Sequence, residues 1–187
     1  MADASKIGTG KPKVAGGIYR APLGTALPTD TSDLASTYVS VGYISEDGVS
    51  NDGSRESEDV KAWGGVTVMS TQTEKNDIFS FAMLEVNNVD VLKMVYGEDN
   101  VSTDAQTGMI TIKANDKELE EAVYVIDMII RGYLRRIVIP DGKLSNLDEI
   151  TYKDDEPVAF AVEITALPYD GTGWNGDTHK EFVLAQE

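Results

Sequence analysis

Cysteine is absent from the chain, so neither a disulfide framework nor a thiolate metal site can form, and assembly in a reducing compartment is expected. Histidine occurs once, at His179, in a polar stretch near the C-terminus with no nucleophile set beside it, and reads as a surface side chain. Long apolar runs are missing too. Runs such as Met128 to Ile130 fall far short of the ~20 residues that span a bilayer, and MADASKIGTGKPK lacks the apolar core of a signal peptide. No membrane partner is expected, and the product reads as cytoplasmic. Basic charge is scarce: 16 Lys and Arg stand against 32 Asp and Glu, for a formal net charge of -16. Nucleic acids are gripped by Lys and Arg that displace counterions, so this balance excludes an ordinary DNA-binding module but not a protein past which DNA slides. Enzyme signatures are also lacking, with no G-x-S-x-G elbow, Walker loop, Rossmann fingerprint after a strand, or H-E-x-x-H. Carboxylate pairs abound, but in so acidic a chain they follow from composition and do not point to a glycosidase. No enzyme activity, catalytic residue or cofactor is expected.

What the chain does have is period-two alternation. With 187 residues, 41% of them hydrophobic, it can bury the core of one domain without staples. The organising stretch is Trp63 to Gly97. There Val66 and Val68 alternate with Thr67, Met69 and Thr71, the cluster Glu74-Lys75-Asn76-Asp77 turns the chain, and Phe79, Phe81 and Met83 share one face of a returning strand. A short helix follows, capped by Asn87 or Asn88, with Val89, Leu92 and Tyr96 on one side and Gly97 as its stop. Further strands are expected at Ile18-Tyr19, Tyr38 to Ile44, Met109 to Lys113, Val123 to Ile130 and Leu134 to Ile139, the last ending in a Pro140-Asp141-Gly142 turn. Val158 to Ala166 alternates most cleanly, and His179 to Leu184 reads as an edge strand or terminal arm. The run Val123 to Ile130 is apolar enough to be buried on both faces, so Asp127 needs a partner, with Arg131, Arg135 and Arg136 as candidates. The class is mainly β, an antiparallel β-sandwich or barrel with one flanking α-helix.

Two segments stand apart from this pattern. Residues 1–17 form a small, polar, basic arm with Lys6, Lys11 and Lys13, which cannot bury enough apolar area to fix itself and is either disordered or ordered by another subunit. Residues 18–187 form the single domain. Within it, residues 45–62 read as a long acidic loop carrying Glu46, Asp47, Asp52, Glu56, Glu58 and Asp59 against Arg55 and Lys61. A calcium loop fails on spacing, because Gly53 at the sixth position puts Gly48 where an aspartate is required. Loops of this length are usually functional, and an exposed interaction loop is expected.

The ordered series GGIYRAPLGTALPTD, GYISEDGVSNDG, KAWGGVTVMSTQTEKNDIFSFAMLE, NNVDVLKMVYGEDNV, IVIPDGKLSNLDEITYKDDE and ITALPYDGTG resembles the major tail tube proteins of long-tailed, non-contractile bacteriophages. That resemblance implies a structural virion protein whose hexameric rings stack into a tube, the conduit for genome ejection. It also implies a long hairpin from the strands ending near Ile44 and beginning near Gly65, with the acidic loop at its tip. By the same resemblance the partners are further copies of the chain, a tape measure protein, a tail terminator and distal tail proteins, with DNA passing through the lumen unbound. A secretion-type tube protein of the same fold and a monomeric β-sandwich binding module are the alternatives. Charge complementarity then groups Lys6, Lys11, Lys13 and Arg20 against Glu46, Asp47, Asp52, Arg55, Glu56, Glu58 and Asp59 as inter-ring contacts. Glu74, Asp127 and Glu163 are expected to face the lumen, since a carboxylate on a strand is more easily explained by water than by a dry core.

Overall fold

Alternation along the strands decides which side chains share a face, and so where the core lies. The computed structural model describes residues 2, 7–14 and 16–185; Lys6 lies outside them. In chain order the elements are β1 (Gly10–Pro12), β2 (Ile18–Pro22), β3 (Val39–Ser40), β4 (Ile44–Asp52), β5 (Arg55–Lys61), β6 (Thr67–Lys75) and β7 (Ile78–Met83). They continue with α1 (Val89–Tyr96), β8 (Val101–Thr103), β9 (Ile110–Ile112), β10 (Ala122–Ile130), β11 (Tyr133–Leu147), β12 (Phe160–Ala166) and β13 (Lys180–Ala185). One nine-stranded antiparallel sheet runs β3-β2-β10-β11-β12-β7-β4, with β1 beside β10 and β13 beside β11. Two small sheets, β5-β6 and β8-β9, stand outside it. The class is the mainly β one that the alternation predicts, with 48% of residues in strands and 6% helical, consistent with a β-sandwich.

β10 explains why its sequence is nearly all apolar. Tyr124 and Ile126 enter one core with Ile18, Phe79, Phe81, Met83, Ile139, Phe160, Val162 and Ile164, whereas Val123 and Val125 enter a second with Ala21, Tyr38, Val138 and Trp174. Each such side chain, taken fully out of water, contributes about 1.5–3 kcal/mol. The helix closes the first core by burying Val91, Leu92, Met94 and Val95, with Val89 and Tyr96 partly buried against it. Asn88 is its cap, its side-chain oxygen accepting from the Asp90 N–H at 3.0 Å, and Gly97 ends it at φ 98° with its N–H on the Lys93 carbonyl.

Local sequence signals misplace several boundaries. The strand expected from Tyr38 to Ile44 is cut to β3, and β4 opens only at Ile44. No turn forms at Pro140-Asp141-Gly142, because β11 runs straight through it for 15 residues. Between the pairs Tyr124–Ile139 and Ala122–Gly142, β11 carries one residue more than β10, and a bulge tolerates a proline that cannot donate to the ladder. Gly142 is needed there for space, since a Cβ would stand 2.6 Å from the Tyr124 ring. The arm is also not wholly detached: Gly10–Pro12 pairs with Met128–Ile130 of the same chain, and the Lys13 N–H reaches the Asp127 carbonyl at 3.1 Å.

Candidate functional site

The acidic segment 45–62 is not a loop. Its residues form most of β4 and all of β5, the outgoing half of a long hairpin that returns through β6 and β7. At the base, β4 pairs with β7; farther out, β5 pairs with β6; the Asn76 N–H on the Ser54 carbonyl at 2.9 Å bridges the break between them. The strands before and after the Glu74-Asp77 cluster therefore do not pair with each other, and the turn lies instead at 62–66. There Gly64 and Gly65 take φ 104° and 86°, and the Ala62 N–H meets the Val66 carbonyl at 2.8 Å.

Every residue of β5 and β6 is exposed, so the alternation of Val66 and Val68 with Thr67, Met69 and Thr71 marks no buried face within the subunit. At about 3.3 Å per residue, the seven residues of β5 alone carry the chain some 20 Å outward. Exposed with them are Val60, Val66, Val68, Met69 and a fully exposed Trp63. A two-stranded ribbon is marginal in water, and its unpaired edges and apolar tip are a template for association.

Pairing register sorts the ribbon's side chains onto two faces. Glu56 lies opposite Glu74, Glu58 opposite Thr71 and Val60 opposite Met69; the intervening positions Arg55–Lys75, Ser57–Gln72, Asp59–Ser70 and Lys61–Thr67 fall on the other face. Bulges at Thr73 and Val68 keep the faces in phase. One face thus carries Glu56, Glu58 and Glu74 with no base, while the other carries Arg55, Lys61 and Lys75 with Asp59 as its single acid. Followed inward by alternation, the acidic face continues into Ser50 and Ser80, and then across β12 to Glu163, whose neighbour on β11 is Asn146. The basic face continues toward the core side, where Asp77 and Phe79 point.

The joint between base and ribbon is held by a buried carboxylate. Asp77 is 3% exposed and accepts from Asn51 Nδ2 at 2.8 Å and from the Thr178 hydroxyl, and it meets His179 Nδ1 at 2.6 Å. Burial pushes its pKa up, but the hydrogen bonds from His179, Thr178 and Asn51 outweigh that and hold it at about 2. The hydrogen bond to Asp77 in turn raises the His179 pKa against the opposing effect of burial. His179 is therefore no free surface histidine: it is half-buried, stacked edge-on to Phe79 at 5.3 Å, and ties β13 to the hairpin. Asp77 reads in the sequence as one more polar turn residue, and only its contacts single it out.

The other expected site residues disperse. Asp127 is 3% exposed, and Arg136 is the arginine that pairs with it, through Nε and Nη2 at 2.7 Å each; its carboxylate lies inside the subunit and is withdrawn from the lumen-facing set. Arg20 sits on β2, mostly buried and 3.9 Å from Glu98, and so does not belong to the arm. Lys13 lies 4.0 Å from Asp33. Lys11 lines the same cleft of about 550 Å³ as Glu46 and Asp47, so part of the expected complementarity falls within one subunit. Asp52 accepts from the Ser54 N–H at 3.0 Å and turns the chain at the joint. Among the described residues no group of three His, Asp or Glu is placed to hold a metal ion, and no helix is long and apolar enough to cross a membrane.

A β-sandwich that extends a charged ribbon beyond any cover of its own defines a structural subunit built for association. Residues 13–175 match the family model described as phage tail tube protein, and the chain belongs to that family. It is a structural, non-enzymatic component of the virion tail that assembles with itself and other tail proteins into a tube. No curated protein matches the chain.

Proposed function

We propose that the chain is the major tail tube subunit of a long-tailed, non-contractile phage, and that its hexameric rings stack into the conduit through which the genome leaves. The observation that carries this reading is the β5-β6 ribbon, exposed along its whole length and apolar at its tip. In a lone subunit that surface is a liability; stacked head to tail, each ribbon gains a neighbour's cover, and heterologous contacts of this kind propagate into open filaments. The continuous outward face through Glu56, Glu58, Glu74, Ser80 and Glu163 supplies a lumen lining of acidic and small polar groups. Like-signed charge keeps a water layer between wall and phosphates over about 8 Å at physiological ionic strength, so the duplex slides. Lys6, Lys11 and Lys13 of the arm are assigned to the contact between rings, and tape measure, terminator and distal tail proteins to the tube's interior and ends.

Negative-stain microscopy of the purified protein tests the reading. Hollow filaments built from six-fold rings are expected. A protein that stays monomeric up to the highest soluble concentration overturns it.

A further inference from the structure

We infer that the basic face of the ribbon, Arg55, Lys61 and Lys75, is a docking surface for an acidic surface on a second copy of this chain; the inference rests on the tube reading above. Like charges directly opposed on neighbouring strands repel, yet the ribbon sets Arg55 against Lys75 and, one position on, Glu56 against Glu74. Exchanging one residue of each pair would turn both into attractive pairs, so the ribbon's own stability does not explain this arrangement. What it achieves is a strand pair with one cationic and one anionic side.

Among the described residues nothing neutralises either side. Within that set Arg55 donates only to Gln72 Oε1, at 3.2 Å, and no ion pair among the described residues engages Lys61, Lys75, Glu56, Glu58 or Glu74. Charge complementarity names the occupant of the basic face. The chain carries twice as many acidic as basic residues, 32 against 16, so a second copy offers anionic surface. One such surface is the exposed stretch with Glu149, Asp154 and Asp155, none of which is ion-paired among the described residues. Docking through the basic face leaves the acidic face uncovered, and the two faces then have separate tasks, attachment on one side and repulsion of like charge on the other.

The test compares Arg55→Ala/Lys75→Ala with Glu56→Gln/Glu74→Gln, reading the critical concentration for assembly by light scattering and microscopy at several salt concentrations. Loss of two exposed attractive contacts per subunit raises the critical concentration about tenfold at low salt and flattens its salt dependence. The Glu56→Gln/Glu74→Gln protein assembles at or below the wild-type concentration. Thermal midpoints of the free subunits are expected to match, because neither pair touches the core; if the basic-face double variant melts early, Lys61→Ala decides by the same readout. Wild-type-like assembly of the basic-face variants overturns the inference and leaves the tube reading intact, and so does loss of assembly in the acidic-face variant. Retention of duplex DNA by the wild-type subunit, abolished by Arg55→Ala/Lys75→Ala, also overturns it and assigns the face to nucleic acid. Failure of the wild-type protein to assemble at all removes both readings.

Discussion

Arg136 and Asp127 are 1% and 3% exposed, and the guanidinium spends its remaining hydrogen bonds on the carbonyls of Asp30 and Ser32, at 2.9 and 2.7 Å. Removing either partner strands the other as an uncompensated buried charge, whereas removing both does not. Asp127→Ala is therefore expected to lose about 3–5 kcal/mol in urea denaturation. Asp127→Leu/Arg136→Met recovers much of that loss, though not the anchoring of residues 30–32. The Asp77–His179 pair supplies the pH dependence. A histidine whose folded pKa is raised contributes stability that is complete below its unfolded value, about 6.5, and is lost as pH rises through the folded value. The depressed Asp77 works in the opposite sense: its contribution is complete above about 3.9, the unfolded value, and is lost as pH falls toward about 2. Thermal melts are expected to show greatest stability from this pair between those limits and a decline above neutral pH. His179→Gln should abolish the decline at the alkaline side and weaken the acid side, which Thr178 and Asn51 still support.

Among the elements, the hairpin divides sharply at Asp77. Its base, β4 and β7, shares the core through Val49, Phe79, Phe81 and Met83, so those amides open with the whole domain. The ribbon beyond has only its own ladder to protect it. Hydrogen exchange is expected to be fast across Arg55–Lys61 and Thr67–Lys75 in the free subunit and slow in the tube. Equal protection in both states would show that assembly does not cover the ribbon. Trp63, fully exposed at the tip, provides a second probe: its fluorescence should shift to the blue on assembly, and Trp63→Ser should weaken assembly without moving the subunit's melting midpoint.

For the whole molecule, the arm and the ribbon together set the cost of adding a ring. Deletion of residues 1–13 removes β1, whose three residues cover one edge of β10, together with Lys6, Lys11 and Lys13. The truncated subunit is expected to fold with a modestly lowered melting midpoint, because β1 contributes no core side chain, and to polymerise poorly. Unchanged tube formation would confine the arm to a role within its own sheet.

Strand identity was legible wherever one chain segment carried its own reason to be a strand. Val123 to Ile130 and Val158 to Ala166 announce their burial by composition and period, and Asn88 and Gly97 bracket the helix by local hydrogen bonding. The need of Asp127 for an arginine was also legible, because a carboxylate in an apolar run has few other fates. Which arginine, however, depended on register, and only the pairing of β10 with β11 brings Arg136 opposite it. The same holds for Pro140, a turn signal on its own and a bulge residue once β10 lies alongside. The acidic segment misled for a related reason: a strand with no apolar face looks like a loop until a partner strand supplies its hydrogen bonds. The segregation of Glu56, Glu58 and Glu74 from Arg55, Lys61 and Lys75 rests on two bulges, and period alone cannot place a bulge. Sequence determined the mainly β class, the helix and the acid excess, which are local or additive properties; tertiary structure decided register, and with it the faces on which the charges meet a partner.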